Sequence, residues 1–220
     1  MKRPYSAALP LFLIASAWGQ QSPAPIIRPG APGQDSTTLS AAAAVTPVRP
    51  PAEADVSFMQ GMIMHHAQAV EMTDLMKTRT HNKALLELGQ RIGISQTDEI
   101  GFMKQWLVDR GRPTGMDRMS MHHDMEHMSG MKMDMPMLMP GMLTPEQMKA
   151  LAQASGAKFD HLFLTGMIQH HTGALIMVED LFATAGAGQE TVLFDFATDI
   201  DNTQRAEIEI MKNMLLKEKK

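Results

Sequence analysis

Two short segments of this 220-residue chain carry the same chemistry-bearing pattern. "GMIMHHAQAVEM" at 61–72 and "GMIQHHTGALIM" at 166–177 each hold a methionine, two adjacent histidines after a two-residue gap, and a second methionine after a five-residue gap. Imidazole and thioether together form a soft-to-borderline ligand set that suits copper, with thioether favouring Cu(I). The candidate metal ligands are Met62, His65, His66 and Met72 in the first copy and Met167, His170, His171 and Met177 in the second. At helical spacing Met62, His65 and Met72 share one face, with His66 at its edge. Methionine at such spacing commonly fills a core, and a histidine pair can be a hydrogen-bonded core feature. Packing, however, does not ask for adjacent histidines at matched places in two segments.

A third methionine-dense region lies between them. Residues 114–143 hold eleven methionines and three histidines, interrupted by Gly and Pro. In it "MHHDMEHM" supplies Met121, His122, His123, Met125, His127 and Met128, and Met131, Met133, Met135, Met137 and Met139 follow at every second position. An extended chain would project those five thioethers to one side, able to collect a soft ion. Ordinary linkers are rich in Gly, Ser, Pro and charge instead.

The elements that carry these residues read as helices. Asp55 to Met76 keeps Phe58, Met62, His65, His66, Ala69, Met72 and Met76 on one face, and a strand would point the two histidines of a pair to opposite sides. A second helix is expected within 85–110, ended by Gly111 and Pro113. Thr144, Pro145 and Gln147 form a helix start with a capping box. A long helix follows from about Lys158 to Thr184, then a turn at "AGAG", then a last helix to the basic end.

The repeat sets the architecture. "DVSFMQGMIMHHAQAVEM" from 55 and "DHLFLTGMIQHHTGALIM" from 160 are identical at nine of eighteen positions, and "QTDEIGFMKQWL" from 96 matches "QRAEIEIMKNML" from 204 at six of twelve. Each half is then a helical hairpin, and the two together make an all-α four-helix bundle, residues 53–220, with halves 53–112 and 144–220 and the Met/His-rich segment 113–143 as crossover. Asp55 and Asp160 head the two motif helices, as helix caps or as acceptors that orient a histidine, with His161 beside the second.

Before residue 53 the sequence changes character. Lys2 and Arg3, the apolar "SAALPLFLIASA" and small residues to Gly19 read as an export signal, residues 1–19, cut after about Gly19. Residues 20–52, rich in Pro and Ala, read as a disordered linker. Taking two positive charges with the leader from a formal −4 leaves −6, a poor balance for nucleic-acid binding. No later segment is apolar for long enough to span a bilayer. The chain has 23 methionines and no cysteine, which excludes disulfides, thiol catalysis and Cys-based zinc sites and suits an oxidising compartment. No catalytic or cofactor-binding motif is found: a Gly-rich phosphate loop, Gly-x-Ser-x-Gly and His-Glu-x-x-His are lacking, as are the Glu-x-x-His pairs of di-iron bundles.

The paired D-x-x-F-x-x-x-M-x-x-H-H-x-x-A-x-x-M segments, followed by matching Q-x-x-E helices, resemble the bacterial family catalogued as domain of unknown function three hundred and five, over about residues 53–216. The resemblance implies a ferritin-like four-helix bundle, export to the periplasm or outside, and copper binding through the eight Met and His residues of the two motifs. The expectation is therefore a non-enzymatic exported protein that sequesters copper, Cu(I) especially, or hands it to another exported copper-handling protein, in metal tolerance or homeostasis. A ferritin-like copper or iron oxidase, and a helical adaptor with oxidant-scavenging methionines, are the competing expectations.

Overall fold

The computed structural model describes residues 26–31, 33–40, 50–115 and 138–218, in two units that divide between Arg49 and Pro50. The leader expected at 1–19 lies outside the described residues. In the first unit, β1 (Ile26–Arg28) pairs antiparallel with β2 (Thr37–Leu39), Ile26 opposite Leu39. These two short strands lie within residues 20–52, which the composition reads as a disordered linker. Ile26, Ile27, Thr37 and Thr38 are β-branched and flank a Pro- and Gly-containing turn, which favours a hairpin. All six paired residues except Leu39 are exposed, so the hairpin contributes no core.

The second unit is all-α. Helix α1 spans Glu53–Arg79, α2 Lys83–Asp109, α3 Pro145–Gln153, α4 Gly156–Ala183 and α5 Thr191–Glu218. Their ends have local causes. The Asp55 carboxylate accepts the Ala52 N–H, the Asn82 side chain accepts the Leu85 N–H, and Thr144 and Gln147 exchange reciprocal bonds around Pro145, satisfying amides that a helix start leaves unpaired.

The packing is that of a ferritin-like four-helix bundle. α1 packs along α2, α4 along α5, and α1 against α4, while Phe102 of α2 stacks on Phe196 of α5. The short α3 lies against α1 and α4. The hairpins run in opposite senses. Asp55, at the start of α1, accepts the N–H of Gly188 just past α4, and Asn82, just past α1, donates to Asp160 at the start of α4. Two apolar clusters result. One holds Met59, Met62, Met103, Met177 and Val178, and the other Met72, Met76, Phe163, Met167 and Met211. Each fully buried side chain of this size contributes roughly 1.5–3 kcal/mol. Among the described residues no helix is long and apolar enough to cross a membrane.

Candidate metal centre

The antiparallel crossing of α1 and α4 brings the two motifs together head to tail. Met62 of the first copy shares a cluster with Met177 of the second, and Met72 shares the other with Met167. His65, His66, His170 and His171 form a polar layer along these helices, with 0% exposure each. The rings of His65 and His170 lie 3.8 Å apart, centroid to centroid, and each adjacent pair 6.2 Å apart. All eight motif residues are thus buried, and the motifs meet across one seam.

Four fully buried imidazoles need partners, because a buried polar group without one costs free energy. Each finds an oxygen through Nε2. His65 bonds the Pro140 carbonyl at 3.0 Å, His170 the His65 carbonyl at 2.8 Å, His66 the Glu99 carboxylate at 2.6 Å and His171 the Glu207 carboxylate at 2.7 Å. Carbonyls and carboxylates only accept, so every Nε2 carries the proton. In a neutral ring this leaves the lone pair on Nδ1, and none of the four Nδ1 atoms has a hydrogen-bond partner.

The electrostatics keep the central pair uncharged. Burial, reinforced by the neighbouring His66, lowers the His65 pKa to about 3. Burial, then His65, holds His170 well below the ordinary value. Glu99 is pulled both ways: burial raises its pKa, but the hydrogen bonds from His66 and Ser95 and the electrostatic attraction of the His66 ring outweigh it, so the carboxyl lies below its usual range. A ring with one nitrogen fixed as donor to an acidic or carbonyl oxygen, and the other bare, is the usual preparation of a metal-binding histidine.

The partners of these rings were not among the sequence-derived candidates. Glu99 and Glu207 come from the second helix of each hairpin, at the shared glutamate of the matching Q-x-x-E segments, so the repeat carried the signal without its role. The Glu-x-x-His pattern sought within one helix is absent because carboxylate and imidazole are supplied by different helices. Pro140 belongs to a strap, residues 140–143, laid over the α1–α4 seam. Gln68 both donates to the Leu143 carbonyl and accepts its N–H, and Gln169 donates to the carbonyls of Gly141 and Met142. The strap approaches α4 so closely that a Cβ at Gly173 would fall 1.9 Å from the Pro140 oxygen.

Other candidates are corrected. Asp55 and Asp160 do not orient histidines. Asp55 caps α1, and the two carboxylates tie each hairpin to the turn of the other, through Gly188 and Asn82, because the opposed hairpins bring each helix start to the other's bend. His161 is exposed, whereas His170 and His171 are buried. Met139 sits half-buried against the cluster of Met62 and Met177 and does not extend a row of thioethers into solvent, because the strap that follows it is pinned to the bundle. Met121, His122, His123, Met125, His127, Met128, Met131, Met133, Met135 and Met137 lie outside the described residues. Among the described residues no three His, Asp or Glu side chains gather into a metal-holding group. The thioethers of Met62, Met72, Met167 and Met177 are the other soft donors buried along the seam.

A family model described as a domain of unknown function, DUF305, matches residues 55–215. Among solved structures, a DUF305 protein of Streptomyces coelicolor, described as a candidate secreted protein, is 27% identical with a TM-score of 0.63, covering 74% of this chain and 93% of that one. A DUF305 fragment from Deinococcus radiodurans is 26% identical with a TM-score of 0.62, covering 77% and 99%. CopM in its Cu(I)-bound form is 26% identical with a TM-score of 0.55, covering 74% and 96%, and CopM has also been solved with Cu(II) and with Ag. No curated protein matches the chain. Its family match runs from the first turn of α1 to the last turns of α5 and takes in both histidine motifs and both glutamates: the chain belongs to the DUF305 family.

Proposed function

We propose that this protein binds copper, Cu(I) in preference, in the buried Met/His layer between its two hairpins, and sequesters it or hands it on. The observation that carries the reading is the set of four Nδ1 atoms, buried, unpartnered and left with lone pairs by the bonding of Nε2. Each such acceptor costs about 1–3 kcal/mol in a metal-free core, and an ion would offset that cost. The flanking thioethers of Met62, Met72, Met167 and Met177 supply soft donors at both ends of the layer. CopM, which is similar in fold and has been solved in Cu(I)-bound and Cu(II)-bound forms, supports the choice of metal.

Export by the leader at 1–19 belongs to the same proposal, as does ion collection by the methionines of the crossover. The N-terminal sequence of the protein recovered from the periplasm or medium checks the first: a start near residue 20 is expected. Metal binding is tested by titrating the mature protein with Cu(I) against a competing chelator, beside a variant with His65, His66, His170 and His171 all replaced by leucine. Tight binding in the parent and loss of its histidine-dependent part in the folded variant is the expected result. Equal binding by both would end the proposal in favour of a helical adaptor.

The oxidase reading draws on a specific observation, the two His–Glu pairs. It requires an open coordination position and turnover. A metal-loaded sample that oxidises Cu(I) or Fe(II) no faster than the free ion removes it, and that is the outcome the binding reading expects.

A further inference from the structure

Two buried side chains of the same layer take no part in the bonding above. Gln96 and Gln204 occupy matching positions of the Q-x-x-E segments, each three residues before the glutamate that accepts a histidine N–H. Both are 2% exposed. Gln96 Oε1 and both amide atoms of Gln204 lack a partner. A core in need of volume alone would hold leucine there, since an unpaired buried amide is a net cost.

The register of the hairpin fixes their level. Along α2, Gly89 lies against Met76, Gly93 against Thr73 and Glu99 against His66. Gln96 therefore sits one turn from Glu99 on the same face, between the levels of His66 and Met72 and opposite Ala69. By the repeat, Gln204 sits between His171 and Met177, opposite Ala174. Both alanines are fully buried, and both are the small position of H-H-x-x-A-x-x-M. The alanine of one helix leaves the room that the glutamine of the next requires.

We infer that Gln96 and Gln204 each supply an amide oxygen to copper held by the adjacent imidazole and thioether, one in each half, so that the layer retains Cu(II) as well as Cu(I). The inference rests on the copper reading. Thioether favours Cu(I), whereas an amide oxygen is a harder donor and serves as a weak axial ligand in known copper sites. Without it, imidazole alone would suit the ion after oxidation, because the thioether favours the reduced state.

The test compares the parent with Gln96→Leu/Gln204→Leu and Gln96→Glu/Gln204→Glu double variants, measuring Cu(I) and Cu(II) affinity by chelator competition, the Cu(II) electron paramagnetic resonance spectrum, and thermal unfolding without metal. In the leucine variant Cu(II) affinity should fall about tenfold or more, as losses of supporting groups at metal sites do. Its Cu(II) spectrum should change, Cu(I) affinity should stay within about threefold, and the metal-free variant should melt at or above the parent temperature because an unpaired amide is gone. The glutamate variant, which restores an oxygen, should recover Cu(II) binding. An unchanged Cu(II) affinity and spectrum in the leucine variant overturns the inference, as does a destabilised leucine variant that loses both copper states alike. A parent that holds Cu(I) but no Cu(II) overturns this inference alone, whereas a parent that holds neither overturns the copper reading beneath it.

Discussion

At the scale of the residue, the informative atoms are the ones without partners. Of the ten buried side-chain N and O atoms lacking a hydrogen bond among the described residues, seven belong to the four histidines and the two glutamines. Unpaired polarity is thus concentrated where the repeated motifs meet. Two consequences can be measured. Glu99→Gln would offer His66 an amide that can donate as well as accept, so the ring can turn its proton to Nδ1 and lose its lone pair. Cu(I) affinity should fall by about 10- to 100-fold, read by chelator competition, with Glu207→Gln acting likewise on His171. The second consequence concerns acid. His65 and His170 resist protonation in the folded protein but not in the unfolded chain, so below about pH 6.5 the unfolded state binds more protons. Stability without metal should therefore fall as pH drops from 6.5 toward 3, by up to about 1.4 kcal/mol per pH unit for each such histidine. The depressed Glu99 acts in the same direction below its unfolded value. Denaturant midpoints at pH 7 and pH 4 check this, and a His65→Leu/His170→Leu variant should show a shallower fall.

At the scale of the element, local chemistry was legible and tertiary pairing was not. Thr144, Pro145 and Gln147 announce α3, because capping is decided within four residues. The recurrence of apolar residues at helical spacing announces α1 and α4 for the same kind of reason. The strap at 140–143 gives no such signal. It is held by Gln68 and Gln169, whose type says nothing about a partner more than twenty residues away. Glu99 was visible as a repeated letter, yet its role depends on α2 lying beside α1. Gly173 shows how strict the strap is. Gly173→Ala would set a methyl against the Pro140 carbonyl and either displace the strap or shift α4. We expect a loss of at least about 1–3 kcal/mol, measured by denaturant unfolding, accompanied by altered His65 ring resonances, since Pro140 is the acceptor of His65.

At the scale of the whole molecule, duplication made the bundle readable: two similar hairpins and one long connection leave few other ways to bury four amphipathic faces. What it withheld was the sense of their packing. The sequence pairs Met62 with Met72, by position on one helix, whereas the fold groups Met62 with Met177 and Met72 with Met167 because α1 and α4 run in opposite directions. The question of one site or two thus becomes one histidine layer with a thioether cluster at either end. The layer is built from residues 53–112 and 138–218, so on the copper reading the crossover methionines are not needed to complete it. Replacing residues 116–137 with a short Gly/Ser linker should leave a folded, helical protein whose histidine-dependent Cu(I) binding is intact and whose total copper content is lower. Metal analysis and circular dichroism of the two proteins check this.

The central claim is that four imidazoles are held with Nε2 protonated and Nδ1 bare for a soft ion. Nitrogen-15 correlation spectra of the histidine rings, recorded near pH 7 without metal and then with Ag(I) as a stand-in for Cu(I), test it directly. The account predicts the Nε2–H form for His65, His66, His170 and His171, with metal-induced shifts at their Nδ1 atoms. Nδ1–H rings, or Nδ1 signals unmoved by saturating Ag(I), would contradict it.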